Sequence, residues 1–203
     1  MFRQIPIIGL ILSLCLAYAF NWLTFSNDKV FWYFYTFTVL FLMSLAFYYA
    51  KIEDSLRTTH YVILGLAFGA ITYALFVLGY KAIDITPFIS TNSVTAFLSK
   101  FGPVAIWQYL LLLLIIAPGE ELFWRGYIQH QLKRWLSPVF SIILSSLLYG
   151  FSFVFSGFPL GIFAAFMTGI IFGILYEWKK SMPLIILSHI TLLVLLFLVL
   201  PLR

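Results

Sequence analysis

The sequence "VAIWQYLLLLLIIAPGEELFWRGYIQ", Val104–Gln129, places three ionisable side chains inside a long apolar run. A helix needs about 20 predominantly apolar residues to cross a bilayer, and this stretch has that length. An ionisable side chain within such a span costs roughly 2.5–3.5 kcal/mol, and it usually faces a partner or a water-filled cavity. The stretch therefore predicts a transmembrane helix in which Glu120, Glu121 and Arg125 are paired, functional or both.

The composition of the whole chain indicates a membrane protein. Of 203 residues, 63% are hydrophobic and only 9% are charged, and the mean hydropathy is +1.05. A soluble domain is roughly half apolar and about a quarter charged. We therefore expect a single membrane domain over residues 1–203, with the lipid bilayer as its surroundings. The net charge of +5 comes from scattered basic residues, so no nucleic-acid partner is expected.

The distribution of apolar residues predicts an all-α, polytopic bundle of about seven transmembrane helices, with six to eight possible. Only helices and closed barrels satisfy the backbone in lipid, and these runs are too long for barrel strands. The polar interval Lys81–Gly102 predicts a loop with a short interfacial helix. The expected spans are Ile5–Phe25, Val30–Ala50, Tyr61–Tyr80, Val104–Gln129, Val139–Phe155, Leu160–Trp178 and Pro183–Leu200.

The first span needs comparison with a cleaved signal peptide. Arg3, an apolar run and then Ala17-Tyr18-Ala19 fit the outline of such a signal. The run continues as far as Phe25, which is long enough to span, so we expect an uncleaved helix.

Basic residues predict the orientation, because cytoplasmic loops carry an excess of lysine and arginine. An N-terminus inside puts seven of them on the inner side: Arg3, Lys51, Arg57, Lys133, Arg134, Lys179 and Lys180. The outer side then has four: Lys29, Lys81, Lys100 and Arg203. We expect a prokaryotic cytoplasmic membrane, with "PGEELFWRG" in the inner half of its helix.

The spacing of the three ionisable residues suggests different roles for the two glutamates. Glu121 and Arg125 stand at i and i+4, so they share a helical face and can pair. Glu120 points about 100° away and has no local partner, which suits a general base that takes a proton from water. Pro118 is expected to kink the helix and make room for that water. Alternatively, the pair is only structural and Glu120 reaches the inner interface.

Histidine provides one further candidate. His189 lies within "MPLIILSHITLL", where it has no charged neighbour, whereas His60 and His130 stand near loop ends and are expected at the interface. A structural or catalytic metal usually has at least three protein ligands. One histidine and a glutamate pair within the membrane do not readily supply them, so we expect no cofactor.

Three segments together resemble the CAAX-protease and bacteriocin-processing family of intramembrane proteases. They are "EELFWRGYIQHQL", "SSLLYGFSF" and "GIIFGILYEWKKSMPLIILSH", and the resemblance covers Ile106–Leu196 as a family-like core. The first motif of that family reads Glu-Glu-x-x-x-Arg, often followed by Gly. A later motif is a histidine in the last helices. The residues that match are Glu120, Glu121, Arg125, Gly126 and His189.

The resemblance implies an endopeptidase that cleaves a membrane-associated peptide or protein tail, which enters from the inner side or laterally. By this resemblance Glu120 activates water, Glu121 pairs with Arg125, and His189 polarises the scissile carbonyl. We expect Glu120 and His189 to face one cavity.

Two positions depart from the pattern of the family. Phe153 stands where a second-motif histidine is expected, and Leu193 stands where an Asn or Asp should follow His189. Neither side chain can hydrogen-bond. Candidate replacement donors are Tyr149, Ser152 and Thr191.

Two alternatives follow from these departures. The chain can be a catalytically impaired relative that acts as a membrane binding, immunity or scaffold protein. It can also be an unrelated transporter or channel component with a buried Glu–Arg pair.

Overall fold

Eight helices account for most of residues 5–84 and 92–201, which are the residues described by the computed structural model. Within these ranges there is no strand, and seven helices are long and apolar enough to span a membrane. The helices are α1 (Ile7–Ser26), α2 (Phe31–Tyr49), α3 (Thr58–Asp84), α4 (Asn92–Phe101), α5 (Ile106–Leu132), α6 (Pro138–Ser156), α7 (Pro159–Lys179) and α8 (Met182–Val199).

The predicted all-α bundle of seven spans is confirmed, with shifts at the ends of the helices. The largest shift is in α3, which runs from Thr58 rather than Tyr61 and reaches Asp84. The expected interfacial helix between Lys81 and Gly102 is α4. The remaining residues of that loop lie outside the described residues, as do Arg3 and Arg203.

Helix α5 continues through Pro118, and its hydrogen bonding changes in the turn before the proline. The helix widens into a π-helical turn at Leu112–Ile116, where the Ala117 N–H bonds the Leu112 carbonyl five residues back. A second wide turn covers Leu122–Gln129. Proline lacks an N–H and its ring crowds the preceding turn. The wider turn before Pro118 accommodates the ring within a helix that remains continuous, and such turns are frequent at functional sites.

Small residues bring the helices close together around α5. A Cβ atom on Gly119 would collide with Val39 of α2 and lie 2.8 Å from Cγ of Met43. A similar close contact at a glycine joins α6 to α7, where a Cβ atom on Gly169 would lie 2.8 Å from Cβ of Ser146. Because helices in lipid associate through packing and hydrogen bonds rather than hydrophobic burial, these contacts position α5 centrally.

One end of the bundle is held by ion pairs and a short backbone pairing. Glu177 near the end of α7 bonds Lys133 at 2.8 Å and Lys180 at 2.5 Å. The loop after α2 pairs with the turn between α7 and α8, since the Met182 N–H bonds the Glu53 carbonyl at 2.8 Å. This end is called the ion-pair end below.

Candidate active site

Glu120 lies at the middle of α5 and is buried, with 8% of its surface exposed. The hydroxyl of Tyr149, on α6, donates to its Oε2 atom at 2.7 Å. The hydroxyl of Tyr35, on α2, donates a very short hydrogen bond to Oε1. Glu120 has no partner on its own helix, but both of its carboxylate oxygens accept a phenolic hydrogen from residues far away in the sequence. The alternative in which it reaches the inner interface is wrong.

Glu121 contacts both Arg125 and His189 through a single carboxylate oxygen. Its Oε1 atom accepts from Nη1 of Arg125 at 3.1 Å, as the i, i+4 spacing predicts, and it lies 2.8 Å from Nδ1 of His189 on α8. All three side chains are buried, with 0%, 2% and 5% of their surfaces exposed respectively. An ionised carboxylate accepts a hydrogen bond from the N–H at Nδ1, so Nε2 is the ring nitrogen of His189 that remains for chemistry.

Two aromatic rings support the buried guanidinium of Arg125. The centre of that group lies 4.7 Å from the ring centroid of Tyr149 and 6.0 Å from that of Phe172. A cation over an aromatic face is attracted by about 2 kcal/mol or more when both are desolvated. Tyr149 therefore contacts both halves of the site, through its hydroxyl to Glu120 and through its ring to Arg125.

A cavity of about 460 Å³ extends from these residues towards the end of the bundle opposite the ion-pair end. Glu120, Tyr35, Tyr149 and His189 stand on its wall, and most of the remaining wall consists of apolar side chains from α2, α3, α4, α7 and α8. A few polar groups in a largely apolar cavity of this size are typical of a ligand site. Glu120 and His189 thus face the same space.

Residues of α3 and α7 that are partly exposed form one part of the wall of the cavity. Near the ion-pair end these helices touch through the rings of Phe68 and Trp178, 6.3 Å apart. Towards the other end Leu75 and Phe163 both line the cavity, yet 49% and 62% of their surfaces are exposed. The exposed surfaces of these two wall residues fit lateral entry, which is one of the two routes that the resemblance implies.

The two residues that depart from the family pattern lie on the wall of this cavity. Phe153 packs its ring against Tyr149, with centroids 5.8 Å apart, and Leu193 packs beside the aromatic residues of α2 and α4. Among the candidate replacement donors, Tyr149 does reach Glu120. Ser152 donates to the carbonyl of Tyr149, and Thr191 donates to the carbonyl of Leu187 within its own helix.

Two features of the site were missed from the sequence. Tyr35 lies in the aromatic run "FWYFYTF", where nothing distinguishes it from its neighbours. The contact between Glu121 and His189 joins residues 68 positions apart, and the i, i+4 rule accounts only for Arg125. Within the described ranges no three His, Cys, Asp or Glu side chains form a metal-binding group.

The comparisons with known proteins identify the family of this core. Residues 102–195 match the family model described as Rce1-like, type II CAAX prenyl endopeptidase. This match, over less than half of the chain, supports assignment of the core to the CAAX-protease and bacteriocin-processing family. The match supports a CAAX-type endopeptidase set in the membrane. Helices α1, α2 and α3 lie before the matched residues. No curated protein and no solved structure gave a significant match.

Proposed function

We propose that this chain is an intramembrane endopeptidase in which Glu120 activates water to hydrolyse a peptide bond of a membrane-associated peptide or protein tail. The observation that carries the proposal is the shared cavity of Glu120 and His189, with Glu121 and Arg125 buried directly behind them. No cofactor is invoked. The family-like core of residues 106–196 and the N-terminal helices together form one membrane domain in this proposal.

The two tyrosines leave Glu120 able to act on water. A carboxylate has about four lone-pair sites, and the phenols of Tyr35 and Tyr149 use two of them. The remaining sites can accept a hydrogen bond from a water molecule. The phenols also fix the orientation of the carboxylate, which a general base requires.

Hydrolysis would then proceed through balanced proton transfers. Glu120 takes a proton from water, and the oxygen of that water forms a bond to the carbonyl carbon of the substrate. The carbonyl π electrons move to its oxygen, where Nε2 of His189, when it carries a proton, donates a hydrogen bond. The tetrahedral intermediate collapses, the C–N bond breaks, and the proton held by Glu120 passes to the leaving nitrogen. Such stabilisation of an oxyanion is worth roughly 10²–10³ in rate.

The setting follows from the shape of the cavity and the distribution of charge. The apolar wall of the cavity suits a segment that is already in the bilayer, and the exposure of the wall residues Leu75 and Phe163 favours lateral entry of that segment. Charge distribution favours a prokaryotic cytoplasmic membrane with the N-terminus inside. The ion-pair end would then face the cytoplasm.

The decisive experiment compares Glu120→Gln with Glu177→Gln, a matched change at the ion-pair end. Membranes that contain the wild-type chain or either variant are searched by mass spectrometry for new peptide termini. We expect termini produced by the wild-type chain and by Glu177→Gln, and a loss of 10²-fold or more with Glu120→Gln. Equal insertion of the three chains is checked in the same membranes. Termini that persist with Glu120→Gln would overturn the proposal.

A second candidate is a family member that binds such a segment without cleaving it, as an immunity or scaffold protein. Phe153 and Leu193 favour it, because both stand on the cavity wall where the family pattern has polar groups. If this alternative holds, a crosslinker attached to the wall of the cavity captures the same membrane peptide in the wild-type chain and in Glu120→Gln. No new termini accompany the capture.

A further inference from the structure

A second, much smaller recess lies against Glu120. It has a volume of about 10 Å³ and is formed largely by α1 and α2 packing against α5 and the end of α6. Glu120 and Tyr35 line both this recess and the large cavity, so they stand between the two spaces. Its other lining residues with polar side-chain groups are Asn21, Thr38, Trp124 and Ser152.

The size and lining of the recess suit one water molecule. A cavity holds a water molecule when it has an accessible volume of roughly 10–15 Å³ and two to four polar partners for that water. The recess has that volume and more than enough polar side chains on its wall. An empty cavity in a protein interior is normally apolar, and this one is not.

The hydrogen bonds already formed show which atoms remain for that water. Asn21 donates from Nδ2 to the Ala17 carbonyl at 2.9 Å, and because a carbonyl only accepts, this bond fixes the amide orientation. No described residue donates to Oδ1 of Asn21, so that oxygen remains as an acceptor in the recess. The hydroxyl of Thr24 donates to Phe20, so the 3.1 Å bond between Thr24 and Thr38 uses the proton of Thr38.

The available side-chain groups are acceptors, apart from the indole N–H of Trp124. Oδ1 of Asn21, the lone pairs of Thr38 and a free lone pair of Glu120 can each take a hydrogen from water. Ser152 and Tyr35 have directed their hydroxyl protons to other acceptors. A water in this recess would have both hydrogens held, and even with Trp124 donating to it one of its lone pairs would have no side-chain donor. That is the arrangement of a nucleophile presented to a base.

We propose that this recess binds a single water, held by Asn21 and Thr38, and supplies it to Glu120 while the apolar cavity is filled by substrate. The supply role rests on the proposed endopeptidase function, whereas the binding of water does not. Asn21 and Thr38 are positioning residues in this proposal. Both lie on helices that precede the family-matched residues, so the N-terminal helices complete the site.

The experiment compares Thr38→Val with Thr24→Val. Both remove the hydrogen bond between the two threonines, but only Thr38 lines the recess. Infrared difference spectra of the chain in lipid, recorded in H₂¹⁶O and H₂¹⁸O, report an isolated water through an isotope-sensitive O–H stretch. We expect this band in the wild-type chain and in Thr24→Val, and its loss in Thr38→Val and Asn21→Leu.

Kinetics test the supply role on a substrate identified by its new termini. Thr38→Val is expected to lower kcat about tenfold, the effect of one lost hydrogen bond, with KM unchanged because substrate occupies the other cavity. Thr24→Val keeps the wild-type kcat. Absence of the band from the wild-type chain overturns the water site. Loss of the band with unchanged kcat overturns its role in supply. Cleavage by Glu120→Gln instead refutes the proposed endopeptidase mechanism, in which Glu120 activates water. The spectroscopic result on the water site is unaffected by that outcome.

Discussion

Nδ1 of His189 lies 2.8 Å from Oε1 of Glu121, although the two residues are 68 positions apart in the chain. The same oxygen accepts from Arg125. Glu121 therefore does more than neutralise a neighbour on its own helix, because it also fixes the ring of a histidine on α8. A carboxylate that binds one ring nitrogen determines which nitrogen faces the cavity.

Removal of the charge of Glu121 is expected to destabilise the fold strongly. Glu121→Gln leaves the buried guanidinium of Arg125 without a counter-charge, and breaking a buried pair in this way costs about 3–5 kcal/mol. The unfolding free energy is measured by titration of lipid–detergent micelles with denaturing detergent.

The control for this prediction is Lys51→Ala, which removes the partner of Glu53 in an ion pair whose lysine is half exposed. Exposed pairs contribute about 0–1 kcal/mol. If Glu121→Gln were no more destabilising than Lys51→Ala, the triad would not be a stabilising unit.

The hydroxyl groups of Tyr35 and Tyr149, which donate to Glu120, are each expected to contribute both to stability and to cleavage. Tyr35→Phe and Tyr149→Phe each keep the ring and remove one donor to the buried carboxylate. A hydrogen bond to a charged group contributes about 1.5–3 kcal/mol. Each change should lower the unfolding free energy by about that amount and reduce kcat, because the base is then less well oriented.

Tyr33→Phe is the matched control for the phenols. Tyr33 lies two residues before Tyr35 on the same helix, but 67% of its surface is exposed and its ring stacks on Trp107. Neither stability nor kcat should change. If Tyr149→Phe behaved like this control, the hydrogen bond to Glu120 would contribute nothing to the site.

Much of the fold could be predicted because only helices and closed barrels satisfy the backbone hydrogen bonds of a chain in lipid. Every backbone group in the bilayer core needs a partner, so apolar runs of about 20 residues become helices. The i, i+4 spacing likewise predicted the pair of Glu121 and Arg125. For Pro118 the sequence indicated a local change in the helix but not its form, which is a π-helical turn just before the proline.

The partners of Glu120 could not be predicted, for a physical reason. They come from α2 and α6, so the contacts depend on how helices pack rather than on local spacing. Twenty per cent of the chain is aromatic, so the sequence does not distinguish a functional tyrosine from the many aromatic residues that face lipid. Tyr149 was only one of three candidate donors from the sequence, and Tyr35 was not distinguishable from its neighbours.

The close approach of α2 to α5 gives a prediction about stability alone. Gly119→Ala would bring a Cβ atom into Val39 and Met43, and overpacking of this kind costs about 1–3 kcal/mol. Gly79→Ala is the control, since a Cβ atom there meets nothing within 4 Å. Unfolding in micelles should show a loss for Gly119→Ala and none for Gly79→Ala. Equal effects of the two changes would show that α2 and α5 can separate without cost.

Phe153 gives the prediction that separates an impaired protease from a dedicated binder. Phe153→His places an imidazole on the cavity wall beside Glu120, where the family pattern has one. If water positioning limits the reaction, kcat should rise tenfold or more, since general acid–base groups contribute about 10²–10⁴ in rate. The control is Phe151→His, which adds the same group on an exposed face two residues earlier. No gain over that control, with both chains folded, would mean that Phe153 is not what limits cleavage.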